Sequence, residues 1–421
     1  MSDFFQPDAI PLRTLRFVSK GARYHGSGHL LWDPASGARL LANVTSSDSP
    51  PSPEGWTSNG FRVISKAELA SVKADSPGFD WILIPHAMHA DELASGDFPI
   101  DEPVASYVTR RRYAPVPGLV DGLKEWWTGH GLYRMTPGTW LPHTIKVSTT
   151  LGEKPLRTAV LHSGIDVAGD DIQVSGITED REFLELYWQL DTSKRTHADA
   201  WNIALAIELA LRLLLGQRVR LLSRTVERLR RDHVASYEER RRMQPVWTFG
   251  ELALVSGSPD AELFGKCFIP LIRLFLRPDS DIEATVAKNI VSRTAAAAES
   301  PDEQIRELTT AITLEAALRT LYDLPNTARI DWDGLKARFS NRYWSNDWAE
   351  AWKRAEQCRK RLRQRNAHPN WIRSSGGAQL REAVTQSYND RIFLSRFYGY
   401  MVLGLAGIED LQPDLLPPVE E

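Results

Sequence analysis

The chain has 421 residues, 42% hydrophobic and 25% charged, with a formal net charge of −3, an ordinary globular composition too long for one typical core. The near-neutral balance excludes a wholesale basic protein, so any nucleic-acid contact has to come from local patches. Only Cys267 and Cys358 occur, far apart and without His or Cys at ligand spacing, which excludes a disulfide framework or zinc ribbon and fits a reducing cytoplasm.

The start, Met1 to Asp8, lacks the basic residues and apolar run of a secretory leader, so a cytoplasmic location is expected. From Leu12 to about Leu190, short β-type runs are broken by Gly, Pro, Asp and Ser. Gly28 to Asp33 and Ala38 to Val44, joined by Pro34-Ala35-Ser36-Gly37, predict a hairpin. Further strands are predicted at Phe61 to Ser65, Trp81 to Pro85, Ala105 to Thr109, Trp140 to Val147, Leu156 to His162, Ile172 to Gly176 and Phe183 to Trp188. Strands without intervening helices predict an antiparallel, sandwich-like β-rich domain over residues 1–195, within an α+β chain. Tyr24-His25-Gly26-Ser27-Gly28 lacks the Lys and the strand-to-helix setting of a phosphate loop and reads as a turn. His86, His89, Asp91 and Glu92 are metal-ligand types but read as a polar connection after a strand, so neither metal nor cofactor is expected.

From His197 onward the pattern reads as helical, with 196–300 a connecting region, 301–412 a terminal helical domain and 413–421 a disordered tail. Trp201 to Leu215 is apolar, but it carries Glu208 and Arg212 and is too short to cross a bilayer, so it is expected to be a buried helix and no membrane contact is expected. Arg218 to Arg242 holds nine arginines against four acidic residues. Read as a long helix, it is either a surface for RNA phosphates or a solvated face crossed by pairs such as Arg228 with Asp232. Residues 245–300 suggest further helices. Gln304 to Tyr322 is a strong helix ending before Pro325, with Glu315 in its apolar interior.

Trp348 to Arg365 contains no Gly or Pro, and its apolar residues Trp348, Ala351, Trp352, Ala355, Cys358 and Leu362 recur at helical spacing. Pro369 disfavours helical geometry at His368, so the helix should stop at or just before that histidine. The run Arg361-Leu362-Arg363-Gln364-Arg365-Asn366-Ala367-His368 thus sets one imidazole beside several guanidiniums. Cutting RNA requires little more, because the ribose 2′-hydroxyl already lies beside the phosphate that it attacks. A histidine moves the proton, and an arginine forks onto phosphate oxygens as charge builds. Arg361 and Arg363 lie seven and five residues before His368, which leaves open the arginine that reaches the site. Equally open is a plain solvated basic face. Glu315 is either a partner of these arginines or a surface carboxylate.

Arg363 to His368, with four residues between them and Gln364 following the arginine, resembles the motif of the HEPN superfamily (higher eukaryotes and prokaryotes nucleotide-binding domain): Arg, four to six residues, then His. Arg361 to His368, with six between, fits it too. The family's familiar Arg-Asn pair occurs as Arg365-Asn366, but only two residues before the histidine, a departure from the commonest register. Ile392 to Leu403 resembles the closing helix found after the motif in bacterial members, apolar nearly all round and expected to be buried. The hairpin from Gly28 to Val44 is similar to the start of the β-rich domain of ApeA-type anti-phage proteins, which carry a HEPN domain at their other end.

The resemblance implies a metal-independent endoribonuclease that dimerises through its C-terminal helical domain. Arg363 would hold the scissile phosphate and His368 would move the proton of the 2′-hydroxyl or leaving group, with Arg361, Gln364, Arg365 and Asn366 binding RNA or supporting the site. Products would carry a 2′,3′-cyclic phosphate. Phage defence or a toxin-like stress response is the implied setting, with the β-rich half sensing a phage-derived or small-molecule trigger. The alternative is a non-catalytic dimerisation or RNA-binding protein.

Overall fold

The computed structural model describes residues 8–19, 22–33, 37–47, 61–63, 71–76, 79–83, 107–115, 126–135, 143–148, 158–178, 183–191, 193–215, 219–229, 233–241, 261–300, 302–325, 327, 330–367, 377–408 and 410–412. As expected, the class is α+β, with antiparallel strands first and helices last. The strands are β1 (Asp8–Ser19), β2 (Ala22–Asp33), β3 (Gly37–Ser47), β4 (Phe61–Val63), β5 (Ser71–Ser76), β6 (Phe79–Leu83) and β7 (Tyr107–Pro115). They continue as β8 (Trp126–Met135), β9 (His143–Ser148), β10 (Thr158–Ala168), β11 (Ile172–Thr178), β12 (Phe183–Asp191), β13 (Val219–Leu229) and β14 (His233–Arg241). The helices are α1 (His197–Leu215), α2 (Ala261–Leu276), α3 (Ile282–Glu299), α4 (Glu303–Leu321), α5 (Trp332–Tyr343), α6 (Ala349–Ala367) and α7 (Gly377–Leu405).

Hydrogen bonding joins the strands into one sheet in the order β4-β3-β2-β1-β5-β6-β7-β14-β13-β8-β12-β11-β10-β9. Each predicted strand has its counterpart, and the first hairpin closes with Asp33 opposite Gly37. Tyr24 to Gly28 is a correction: these residues lie inside β2, paired with both neighbours, and the glycine signal belongs to a register shift between His25 and Gly26. The His86 to Glu92 group lies outside the described residues.

A second correction concerns the arginine-rich stretch. Its described residues, Val219–Leu229 and His233–Arg241, are not helical but pair as antiparallel strands β13 and β14, and they fill the slot between β7 and β8. A bulge between Leu221 and Ser223 resets the alternation, so Val219 and Leu221 point inward before it and Arg224 and Val226 after it. That phase change hides the period of two on which a strand is read. Helix α1 supplies what the bulge lacks: the Glu208 carboxylate accepts the Leu221 N–H at 3.1 Å and pairs with Arg212. Arg224 stacks 3.9 Å from the Trp201 ring centroid, so this arginine is consumed by packing rather than offered to a ligand.

The expected buried helix is α1, whose Ile203, Ala204, Ile207, Leu211 and Leu214 lie in the core with Trp188, Leu186 and Tyr133 of the sheet. Tyr133 donates its hydroxyl to the Ala204 carbonyl at 3.0 Å. The helical end is fastened to the sheet at Asp171, which takes Arg273 of α2 at 2.6 Å and Arg195 at 2.5 Å. Among the described residues no helix is long and apolar enough to cross a membrane.

Asp281, Asp302 and Asp331 cap α3, α4 and α5 by accepting backbone N–H groups of the first turn, satisfying donors that a helix start leaves open. In α7 the expected burial holds: Phe393, Leu394, Phe397, Tyr398, Tyr400 and Met401 are closed off from solvent.

Candidate functional site

Helices α6 and α7 run antiparallel. Trp348 meets Tyr400 with ring centroids 5.5 Å apart, Trp352 meets Phe397 at 4.8 Å, and Arg354 lies 4.0 Å from the Phe393 centroid. Two turns further along α6, Arg361 meets Asp390. Each step along α6 is thus a step back along α7, and the basic end of α6 lies beside the first turns of α7. Helix α6 reaches Ala367. His368 lies outside the described residues. Arg365 and Asn366 belong to the helical backbone, but their side chains also lie outside the description.

The arginines of the motif have different surroundings. Arg361 donates Nε to Oδ2 of Asp390 at 2.8 Å and Nη2 to Oδ1 at 2.6 Å, a two-pronged fit of guanidinium to carboxylate. Asp390 is only 2% exposed, and Gln386 donates a further hydrogen bond to it at 2.9 Å. These bonds raise the pKa of Arg361 further, against the opposing effect of burial. Cys358, under the same pair, has its thiol pushed up to about 12 by burial and then by Asp390, so it offers no thiolate near neutrality. Arg361 is therefore a strut between α6 and α7.

Arg363 is on another face, 60% exposed, with Nη1 3.5 Å from Glu315 Oε2 on α4. The same carboxylate takes Arg319 at 3.0 Å and Arg359 at 3.8 Å. One negative charge thus faces three guanidiniums and leaves two positive charges in excess. Burial lowers the pKa of Arg359, yet an arginine stays charged under all ordinary conditions. Gln364 is exposed beside them. Of the two readings of Glu315, the structure bears out the one that made it a partner of the site arginines.

What this arrangement can do is bind a phosphate: Arg363 is a cation tethered on one side, open on the other, and backed by surplus positive charge. Sequence reasoning missed Asp390, Arg319 and Arg359. Asp390, one acid in the polar stretch just before the apolar run of α7, carries no sequence signal, whereas Arg359 was visible as one helical turn before Arg363. No protein-family model, curated protein or solved structure matches the chain.

Proposed function

We propose that the chain is a metal-independent endoribonuclease of HEPN type, with Arg363 holding the scissile phosphate and His368 moving the proton. The observation that carries this reading is the open guanidinium of Arg363, held by Glu315 with two positive charges to spare, five residues before a histidine that directly follows the end of α6. In the reaction the 2′-oxygen bonds to phosphorus as His368 takes its proton. The bond from phosphorus to the 5′-oxygen breaks, and the departing 5′-oxygen takes up a proton. Negative charge on the non-bridging oxygens is met by Arg363. No redox step and no external co-reactant is needed to reach a 2′,3′-cyclic phosphate.

The active unit in this reading is a homodimer of the helical end. Ile305, Leu308 and Ile312 line one face of α4 and, with Val384 and Tyr388 near the start of α7, are exposed, which gives a second copy apolar area to cover. The β-rich half is the sensor of a phage-derived or small-molecule trigger, in phage defence or a toxin-like stress response. The test is incubation of the purified chain with RNA in chelator, wild type against His368→Ala. Cyclic-phosphate ends from the wild type alone support the reading. Equal cutting by both proteins, or none by either, overturns it.

A further inference from the structure

Beyond the motif, α4, α5 and α6 carry a second pattern: guanidiniums laid on aromatic rings. Arg359 lies 4.4 Å from the Trp332 ring centroid and Arg338 lies 4.5 Å from that of Tyr322. Trp332 opens α5 and Tyr322 caps the end of α4. Arg359, which pairs with Glu315, joins the first of these pairs to the Arg363 site. Arg319, also on Glu315 and three residues before Tyr322, leads toward the second, and it donates to the Pro325 carbonyl at 2.7 Å just past the cap.

Two features distinguish this surface from a merely packed one. Its ends are open: Arg363 and Arg338 are exposed and Trp332 and Tyr322 only half-buried. Its half-buried acids are already occupied, Glu315 by three arginines and Glu356 by Lys336 at 2.6 Å and Lys360 at 2.8 Å; of the exposed acids beside the rings, Asp331 caps α5 and Asp333 pairs with Lys336 at 3.4 Å. Single-stranded nucleic acid is the polymer that presents both a phosphate charge and a flat unpaired base at each step. Arginine forks answer the first, and aromatic faces backed by guanidinium answer the second. A duplex hides its base faces, and an acidic peptide has no use for the rings.

We propose that this surface is a binding track for single-stranded RNA, running from Arg363 past the Arg359–Trp332 pair to the Tyr322–Arg338 pair. The proposal rests on the ribonuclease reading of the same end of α6. With helix rise of about 1.5 Å per residue, Arg359 lies about 12 Å from the last residue of α6, so the track contacts nucleotides flanking the cut rather than the reacting phosphate. Arg338 and Trp332 are binding residues here, with no part in proton transfer.

The experiment uses full-length His368→Ala, which spares RNA under the proposed chemistry, and a short fluorescein-labelled oligouridine. Added to that background, Trp332→Leu weakens binding about fivefold or more. Arg338→Ala lowers the slope of log affinity against log salt by about 0.7, and Arg338→Lys recovers the charge but not the stack. Arg338 is exposed, so its variants should keep the parent's melting temperature. Binding within about twofold of the parent for both Trp332→Leu and Arg338→Ala, or equal affinity for a duplex of matching length, overturns the track, as does a parent that binds no RNA. If His368→Ala still cleaves RNA, the ribonuclease reading falls while the affinities continue to decide the track.

Discussion

Arg361 and Asp390 are joined by two parallel hydrogen bonds of 2.8 and 2.6 Å, the carboxylate buried in α7 and the guanidinium reaching it from α6. Of the two described arginines in the motif, Arg361 and Arg363, Arg361 is therefore the one whose loss acts through the fold.

Removing one member of this pair leaves the other unmatched in a dry site. Asp390→Ala is expected to cost about 3–5 kcal/mol, and Arg361→Ala somewhat less because its head is partly solvated. Arg363→Ala removes an exposed cation and is expected to shift stability by about 0.5 kcal/mol or less. Urea unfolding of the three variants checks the order, and equal losses from Arg361→Ala and Arg363→Ala contradict the division between strut and site.

The acid limb of stability is expected to carry a contribution from Glu356. Hydrogen bonds from Lys336 and then Lys360 bring its carboxyl down to about 2 against the effect of burial. The folded value lies below the unfolded one of about 4.3. The contribution is thus complete above about pH 4.3 and lost as pH falls from there through 2. Allowing for solvent screening, it is on the order of 1–2 kcal/mol. Glu356→Gln should lower the unfolding free energy at neutral pH and flatten its decline between about pH 5 and 2; a parallel decline in both proteins rules this contribution out.

Gly129 in β8 lies under the Trp188 indole, and a Cβ placed there strikes the ring. Trp188 is itself 1% exposed and part of the core with α1. Gly129→Val should therefore displace Trp188 and cost about 1–3 kcal/mol. A red shift of tryptophan emission together with a lowered melting temperature reads this out, and an unchanged spectrum contradicts it.

The same glycine shows why parts of the fold were hard to read. Trp126 to Met135 has Gly129 and Gly131 where a strand pattern wants bulk, because Trp188 from β12 supplies it. The strand pair β13 and β14 was missed for a related reason: the alternation of β13 changes phase at a bulge whose N–H is answered by Glu208, more than ten residues away on α1. Helix α5 had its signals in view, Asp331 as cap and Leu335, Phe339 and Tyr343 on one face, but glycine at its third position and a short length weakened them. By contrast α1, α6 and the core of α7 were legible because their apolar residues are also the ones that the fold buries, and α4 was legible from its helix-forming composition and the Pro325 that follows it. At the candidate site, local spacing gave the arginines and the helix that carries them. Which arginine is a strut depended on Asp390, a partner 29 residues on that no local pattern announces.

The central claim is that an open Arg363 and the following His368 cleave RNA together. The most direct measurement is the rate at which the full-length protein cuts a labelled RNA in chelator, compared among wild type, Arg363→Ala and His368→Ala at matched melting temperatures. The account predicts a fall of about 100-fold or more for each variant, with cyclic-phosphate ends from the wild type. Undiminished cutting by Arg363→Ala or by His368→Ala would contradict it.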